Sequence, residues 1–169
     1  HSFSRRQRQM CIRDSARTDE YVEALHAVWS GTDIEFHGEF VDFDPLTCTP
    51  RPKQEKIPIL VGGDTPAAIR RAVKLADGYY PGTGDFSELQ KLIADVRHAA
   101  EDNGRNPAEI EINAHYSVFG DGDRIEDVEK MQEAGVGRIM VPGFIFGGTS
   151  GMEQLQEFGE SVVLKMKAD

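Results

Sequence analysis

Gly62-Gly63-Asp64-Thr65-Pro66 is the stretch of this sequence best suited to hold an anion. It separates a short apolar run, Ile57 to Val61, from a stretch of helical apolar spacing that opens on Thr65 and Pro66. The first N–H groups of a helix have no acceptor within it and lie at the positive end of its dipole, so they favour negative charge. Two glycines let a phosphate approach the backbone closely, and Thr65 can add a hydroxyl contact. The Asp64 side chain would repel a phosphate, so the backbone and Thr65 are the better donors. The same residues also suit a plain strand-to-helix turn, with Asp64 or Thr65 as an ordinary cap. Pro81-Gly82-Thr83-Gly84, at the end of the following strand, is a second phosphate candidate, and a loop without ligand is its alternative. Gly62, Gly63, Asp64, Thr65, Gly82 and Thr83 are the candidate binding residues.

Other reactive side chains point to less. His26, His37, His98 and His115 have no metal-site spacing, and there is no HExxH or Cys/His cluster, so no metal is expected and all four read as structural. Tyr79 and Tyr80 must point to opposite faces of a strand. One could line a pocket while the other packs under a helix, with the core the better expectation for both. Arg70 and Arg71 read as a solvated helix face. No catalytic acid, base or nucleophile is assigned. A net charge of −10 disfavours a nucleic-acid or anionic membrane surface. No apolar run approaches the roughly 20 residues of a membrane span. Two cysteines, Cys11 and Cys48, lie outside any CxxC pair and no secretory signal is present, which points to a reducing cytoplasm.

The elements that must position the Gly-Gly turn alternate along the chain. Tyr21, Leu25, Val28 and Trp29 mark a first helix, with Thr18 or Asp19 as N-cap and Gly31 beyond its end. Ile34-Glu35-Phe36 and Phe40 to Phe43 flank a turn and read as a β-hairpin, and Pro45, Pro50 and Pro52 then hold an extended linker. Ile57 to Val61 reads as a strand buried on both faces, although Pro58 weakens its start. Ile69, Ala72, Val73 and Ala76 form the next helical stripe, stopped by Gly78. Tyr79-Tyr80-Pro81 is a short strand. Asp85 and Glu88 resemble a capping box before Leu89, Leu92, Ile93, Val96 and Ala100. Ile110 to Val118 alternates as a strand, Asp123 and Glu126 form a second capping pattern before Ile125, Val128, Met131 and Ala134, and Arg138 to Val141 is the last strand. Met152, Leu155, Phe158, Val162 and Met166 predict a terminal helix. Four strand–helix units in a row make the fold α/β, either a barrel or doubly wound. A doubly wound dinucleotide site is disfavoured, because Gly62-Gly63 lacks the GxGxxG pattern.

His1 to Ser15 differs from everything after it. It holds four arginines and one acid, fits no helix or strand template, and leaves a remainder with a formal charge of −13. Met10 to Ser15 resembles a translated transposase adaptor of the kind used in sequencing libraries, so residues 1–15 are expected to be non-native or disordered and to contribute nothing to folding. Residues 16–169 form the expected domain.

The order of motifs in that domain is specific. Arg17-Thr18-Asp19-Glu20-Tyr21-Val22-Glu23-Ala24-Leu25, Phe36 to Phe43, Arg51-Pro52-Lys53-Gln54, Pro58 to Ala72 and Ala76-Asp77-Gly78-Tyr79-Tyr80-Pro81 resemble successive segments of the luciferase-like monooxygenase family, in particular its coenzyme F420-dependent branch. Asn103 to Ile112 and Glu133 to Val141 fit more loosely. Gln54 stands where the family often has a proline, which touches the linker and not the chemistry.

The resemblance implies the C-terminal half of a (β/α)8 TIM barrel, about four βα units plus a hairpin insertion, since a whole barrel takes roughly 200 to 250 residues. The first four strands, which supply the substrate pocket and much of the cofactor cradle in the family, are then absent. The Gly62-Gly63 turn is the family's cofactor-phosphate site. The implied activity is F420-dependent hydride transfer to or from a small organic substrate. An FMN-dependent monooxygenase and a non-catalytic flavin-binding fragment are the alternatives. Neither nucleic acid nor membrane is expected as a partner, and the full-length protein is expected to be a homo-oligomer.

Overall fold

The computed structural model describes residues 2–116 and 124–166. Its elements run α1 (Ser2–Ser30), β1 (Ile34–His37), β2 (Asp42–Leu46), β3 (Leu60–Gly62), α2 (Pro66–Leu75), β4 (Gly78–Tyr80), α3 (Phe86–Asp102), β5 (Glu111–His115), α4 (Arg124–Glu133), β6 (Arg138–Met140) and α5 (Gly151–Phe158). β3, β4, β5 and β6 pair in that order as one parallel sheet, while β1 and β2 form a separate antiparallel hairpin. Parallel neighbours in sequence order, joined by single helices, are the arrangement of a partial (β/α)8 barrel.

Register divides the sheet into two unlike faces. Val61 pairs with Tyr79, Tyr79 with Ile112 and Ala114 with Ile139, so these side chains share one face. Val61, Tyr79, Ile112 and Ala114 are buried there in one core with Ile69 of α2, Leu89 and Val96 of α3 and Met131 of α4. Leu60, on the other face, is 42 % exposed. The expectation of a strand buried on both faces is therefore corrected: β3 is covered by helices on one side only, and Pro58 delays its start to Leu60.

The predicted stripes of α2 and α3 are the buried ones. Thr65 caps α2, its Oγ1 accepting the Ala68 N–H, and Asp85 caps α3 by accepting the Glu88 N–H at 2.7 Å. Arg105 closes the other end of α2, donating to the Val73 carbonyl at 2.7 Å. On α4, Asp127 is buried, and its Oδ2 accepts the Tyr116 hydroxyl at 3.3 Å. The second capping pattern rests on Asp123, and the end of the strand predicted through Val118 also falls outside the described residues.

Three other expectations are corrected. The first helix does not begin at Thr18 or Asp19 but extends back to Ser2. No proline or glycine interrupts residues 2–30, and adding a residue to an existing helix is far easier than starting one, so propagation prevails over the missing apolar period. Within α1, Val22 and Ala24 are buried while Tyr21 and Leu25 are exposed. The reason is the docking of Asp19, which pairs with Arg71 of α2, and of Glu20, which grips the hairpin; together they set the rotation of the helix. Arg71 also donates to the Ser15 carbonyl at 3.0 Å, so it is a docking residue and not a solvated one. Finally, β2 runs Asp42–Leu46 and takes in Pro45, while Phe40 and Val41 belong to the turn. Their N–H groups donate to the Glu20 carboxylate at 2.7 and 2.6 Å, with that of Glu39 at 3.0 Å, which removes them from strand pairing.

The terminal apolar series passes through a π-helical turn at Gly159–Val163 to a last helical turn at Leu164–Met166. Phe158 and Val162 are buried, while Met152 and Leu155 are exposed. Among the described residues no helix is long and apolar enough to cross a membrane.

Acid should loosen two of these joints. Burial alone raises the Glu20 carboxyl, but its three backbone donors outweigh that and hold it below its ordinary value. Burial likewise raises Asp77, and the Lys56 ammonium and the Ile59 N–H outweigh it. A carboxyl depressed in the folded state stabilises above its unfolded pKa, and that contribution is lost as pH falls through the folded value. Amide exchange at Phe40, Val41 and Ile59, corrected for intrinsic rates, should therefore accelerate as pH falls below the ordinary carboxylate range. Glu20→Gln should remove the dependence at Phe40 and Val41 while leaving that at Ile59.

Candidate functional site

β3 ends on Gly62, and the chain turns into α2 through Gly63, whose φ of +114° only glycine adopts without strain. β4 clamps this residue from both sides. Its N–H donates to the Tyr80 carbonyl at 3.1 Å, and its own carbonyl accepts the Tyr79 hydroxyl at 2.7 Å. Tyr79 has no exposed surface, and burial, then the charges of Asp64 and Asp95, push its pKa up to about 12. The phenol thus stays protonated and donating at neutral pH.

This changes which groups can serve a ligand. The Gly63 N–H is already bonded within the sheet. The N–H groups of Asp64, Thr65 and Ala67 are the ones that, among the described residues, have no acceptor. They belong to the first turn of α2, where an anion is favoured. Thr65 Oγ1 already accepts from Ala68, but its hydroxyl hydrogen can still donate.

The second candidate loop lies against the first. Asp64 Oδ1 accepts the Gly82 N–H at 2.6 Å, and a Cβ at Gly82 would stand 3.3 Å from Asp64 Oδ2. The carboxylate that would repel a phosphate is therefore turned to a brace between the two loops. Thr83 is drawn the other way: its hydroxyl donates to Glu88 at 2.8 Å and accepts the Asp85 N–H at 3.1 Å, completing the N-terminus of α3. Of the six candidates, Gly62, Gly63, Asp64, Thr65 and Gly82 come together, while the Thr83 side chain is committed elsewhere.

Gly62 is exposed, and a Cβ there would meet only the Tyr80 carbonyl at 3.4 Å. The space above it leads onto the face of the sheet away from the helices. Two residues read from sequence as structural stand on that face at the C-terminal ends of their strands: Tyr80 Oη lies 2.7 Å from Nε2 and 2.9 Å from Nδ1 of His115. The signal was present in the alternation of β5, where Glu111, Asn113 and His115 occupy one parity and Ile112 and Ala114 the other. An open N–H cluster at a helix start, a bare glycine beside it and polar side chains on the adjoining face fit a phosphate-bearing redox cofactor of flavin type.

The chain is similar to known proteins along most of its length. The profile of the luciferase-like monooxygenases matches residues 13–158. An uncharacterised protein of Mycobacterium tuberculosis is 38 % identical over 160 residues, covering 89 % of this chain and 53 % of the relative. An F420-dependent glucose-6-phosphate dehydrogenase of Nakamurella multipartita is 33 % identical over 111 residues, or 64 % of this chain and 32 % of that enzyme. An FMNH2-dependent dimethylsulfone monooxygenase of Pseudomonas putida is 31 % identical over 99 residues, covering 58 % and 27 %. Among solved structures, the F420-dependent tetrahydromethanopterin reductase of Methanopyrus kandleri superposes with a TM-score of 0.66 at 14 % identity, over 83 % of this chain and 60 % of the reductase, a likeness of fold. The chain spans about half the length of the first of these relatives.

Proposed function

This chain belongs to the luciferase-like monooxygenase family, and we propose that it supplies the cofactor-phosphate side of an oxidoreductase barrel that exchanges hydride between coenzyme F420 and a small organic substrate. The observation that carries the reading is the cradle itself: the N–H groups of Asp64, Thr65 and Ala67 lie open beside Gly62, and the Asp64–Gly82 bond fixes the neighbouring loop next to them. The N–H groups of Asp64, Thr65 and Ala67 and the Thr65 hydroxyl hold the phosphate, bare Gly62 leaves room for it, and Gly63 makes the turn that presents these donors. Gly82 lines the edge, and Thr83 contributes through the loop backbone. The bound cofactor supplies the redox chemistry, while the chain binds, orients and shields it. The 33 % identity to an F420-dependent dehydrogenase supports the deazaflavin. FMN is the second reading, supported by the FMNH2-dependent relative. A cytoplasmic homo-oligomer belongs to the same proposal.

Equilibrium titration with F420 and with FMN tests it. F420 should bind more tightly. FMN binding without F420 binding replaces the hydride-transfer reading with the monooxygenase one, and binding of neither removes the phosphate site.

A further inference from the structure

The sheet face away from the helices carries chemistry that the phosphate cradle does not use. Pairing of Gly62 with Tyr80, of Gly78 with Glu111 and of Asn113 with Arg138 sets Tyr80 and Asn113 side by side on this face, with His115 one step nearer the C-terminal end. The Tyr80 and His115 rings lie 4.9 Å apart at 58°, with the hydroxyl within hydrogen-bond reach of either imidazole nitrogen. Such a pair can donate a proton at one place and replace it from the other.

Asn113 adds an independent observation. It is 1 % exposed, its Nδ2 donates to the Glu111 carbonyl at 3.3 Å, and its Oδ1 has no partner among the described residues. Buried side-chain oxygens almost always have a donor, and this one, on the face that carries Tyr80, has none among the described residues. Among the described residues near this face, Glu111 pairs with Arg138 at 3.1 Å and the Asp64 carboxylate accepts the Gly82 N–H. A neutral ligand therefore matches the site better than an ion. Gly62, bare and exposed beside Tyr80, joins this surface to the cradle.

We propose that Tyr80 and His115, with the buried Asn113 beside them on the same face, form a substrate site for a small neutral molecule that presents a carbonyl or hydroxyl oxygen to the Tyr80–His115 pair. This deepens the cofactor reading above and rests on it for the redox step. As a carbonyl carbon takes a hydride from the reduced deazaflavin, a C–H bond forms, the C=O π pair moves to oxygen, and the Tyr80 hydroxyl gives that oxygen its proton. His115 returns a proton to Tyr80 and is reprotonated from solvent, which takes up the proton that the deazaflavin sheds as it is oxidised by two electrons; the product leaves as an alcohol. Alcohol oxidation runs the same path in reverse.

The test uses this chain labelled with 15N and 13C, with hydroxyacetone as probe because it places a hydroxyl beside a carbonyl. Saturable shifts of the His115 ring and the Asn113 side-chain amide are expected, weakened about tenfold or more by Tyr80→Phe. That variant keeps the ring and so the packing, and His115→Gln supplies a second variant with the same expected loss. F420-induced shifts at the Asp64 and Thr65 amides should survive both substitutions. Hydroxyacetone that leaves His115 and Asn113 unmoved, or that binds Tyr80→Phe and His115→Gln as well as the unaltered chain, overturns the substrate site whatever F420 does. Loss of the F420 shifts with those of hydroxyacetone intact overturns the cofactor reading instead and leaves the binding site standing.

Discussion

Tyr79→Ala should cost about 3–5 kcal/mol of folding stability, because it opens a cavity where a large aromatic side chain is now fully enclosed. In a chain of this length that corresponds to a fall of roughly 6 to 20 °C in melting temperature. The ring lies in the core shared by α2, α3 and the sheet, and its hydroxyl ends on the Gly63 carbonyl, so one side chain joins the core to the cradle. Tyr79→Phe separates the two roles. It keeps the packing and loses one hydrogen bond, a cost of about 1 kcal/mol. The alkaline limb of the stability curve supplies a further check. Burial, reinforced by Asp64 and Asp95, raises the folded-state pKa to about 12, above the ordinary phenol value near 10. The contribution is therefore complete below about pH 10 and lost as pH rises through about 12. Tyr79→Phe should lack this component. Denaturant melts giving Tyr79→Ala within about 1 kcal/mol of the unaltered chain would contradict the enclosed, clamping role.

The second large effect is expected at Gly62. Its φ is not among the positive ones, and a Cβ would make only an ordinary 3.4 Å contact with the Tyr80 carbonyl. Gly62→Val should therefore fold normally, yet its two methyl groups would fill the space through which a phosphate reaches the N–H cluster. F420 affinity should fall at least tenfold, about 1.4 kcal/mol, with little change in melting temperature. Gly63→Val is a different experiment. At φ +114° any side chain is strained, so its first effect should be on stability. A folded Gly62→Val chain that binds F420 as well as the unaltered chain removes the phosphate from this turn.

Much of this was legible from the residues, and what was not had particular causes. The stripes of α2 and α3 follow directly from apolar spacing, because those helices lie on a sheet formed by neighbouring segments. The Gly62–Thr65 turn was legible because a glycine pair between an apolar strand and a Thr-Pro helix start has few structural uses. The engagement of the Gly63 N–H with Tyr80 was not, since it depends on which strand lies alongside. Asp19 read as a helix cap, whereas the structure uses it to dock α2 and uses Glu20 to hold the hairpin turn, partners 52 and about 20 residues away in sequence. Tyr80 was weighed as pocket lining or core without a choice of partner, and His115 read as structural, because neither has a local partner. Only the strand pairing brings them together.

The most direct test of the cradle is the pattern of backbone amide shifts in the 15N-labelled chain as F420 is added. The account predicts the largest changes at Asp64, Thr65 and Ala67, with a smaller one at Gly63, whose N–H is already held by the Tyr80 carbonyl. Saturable F420 binding whose largest shifts lie elsewhere, with those three amides unmoved, would contradict it.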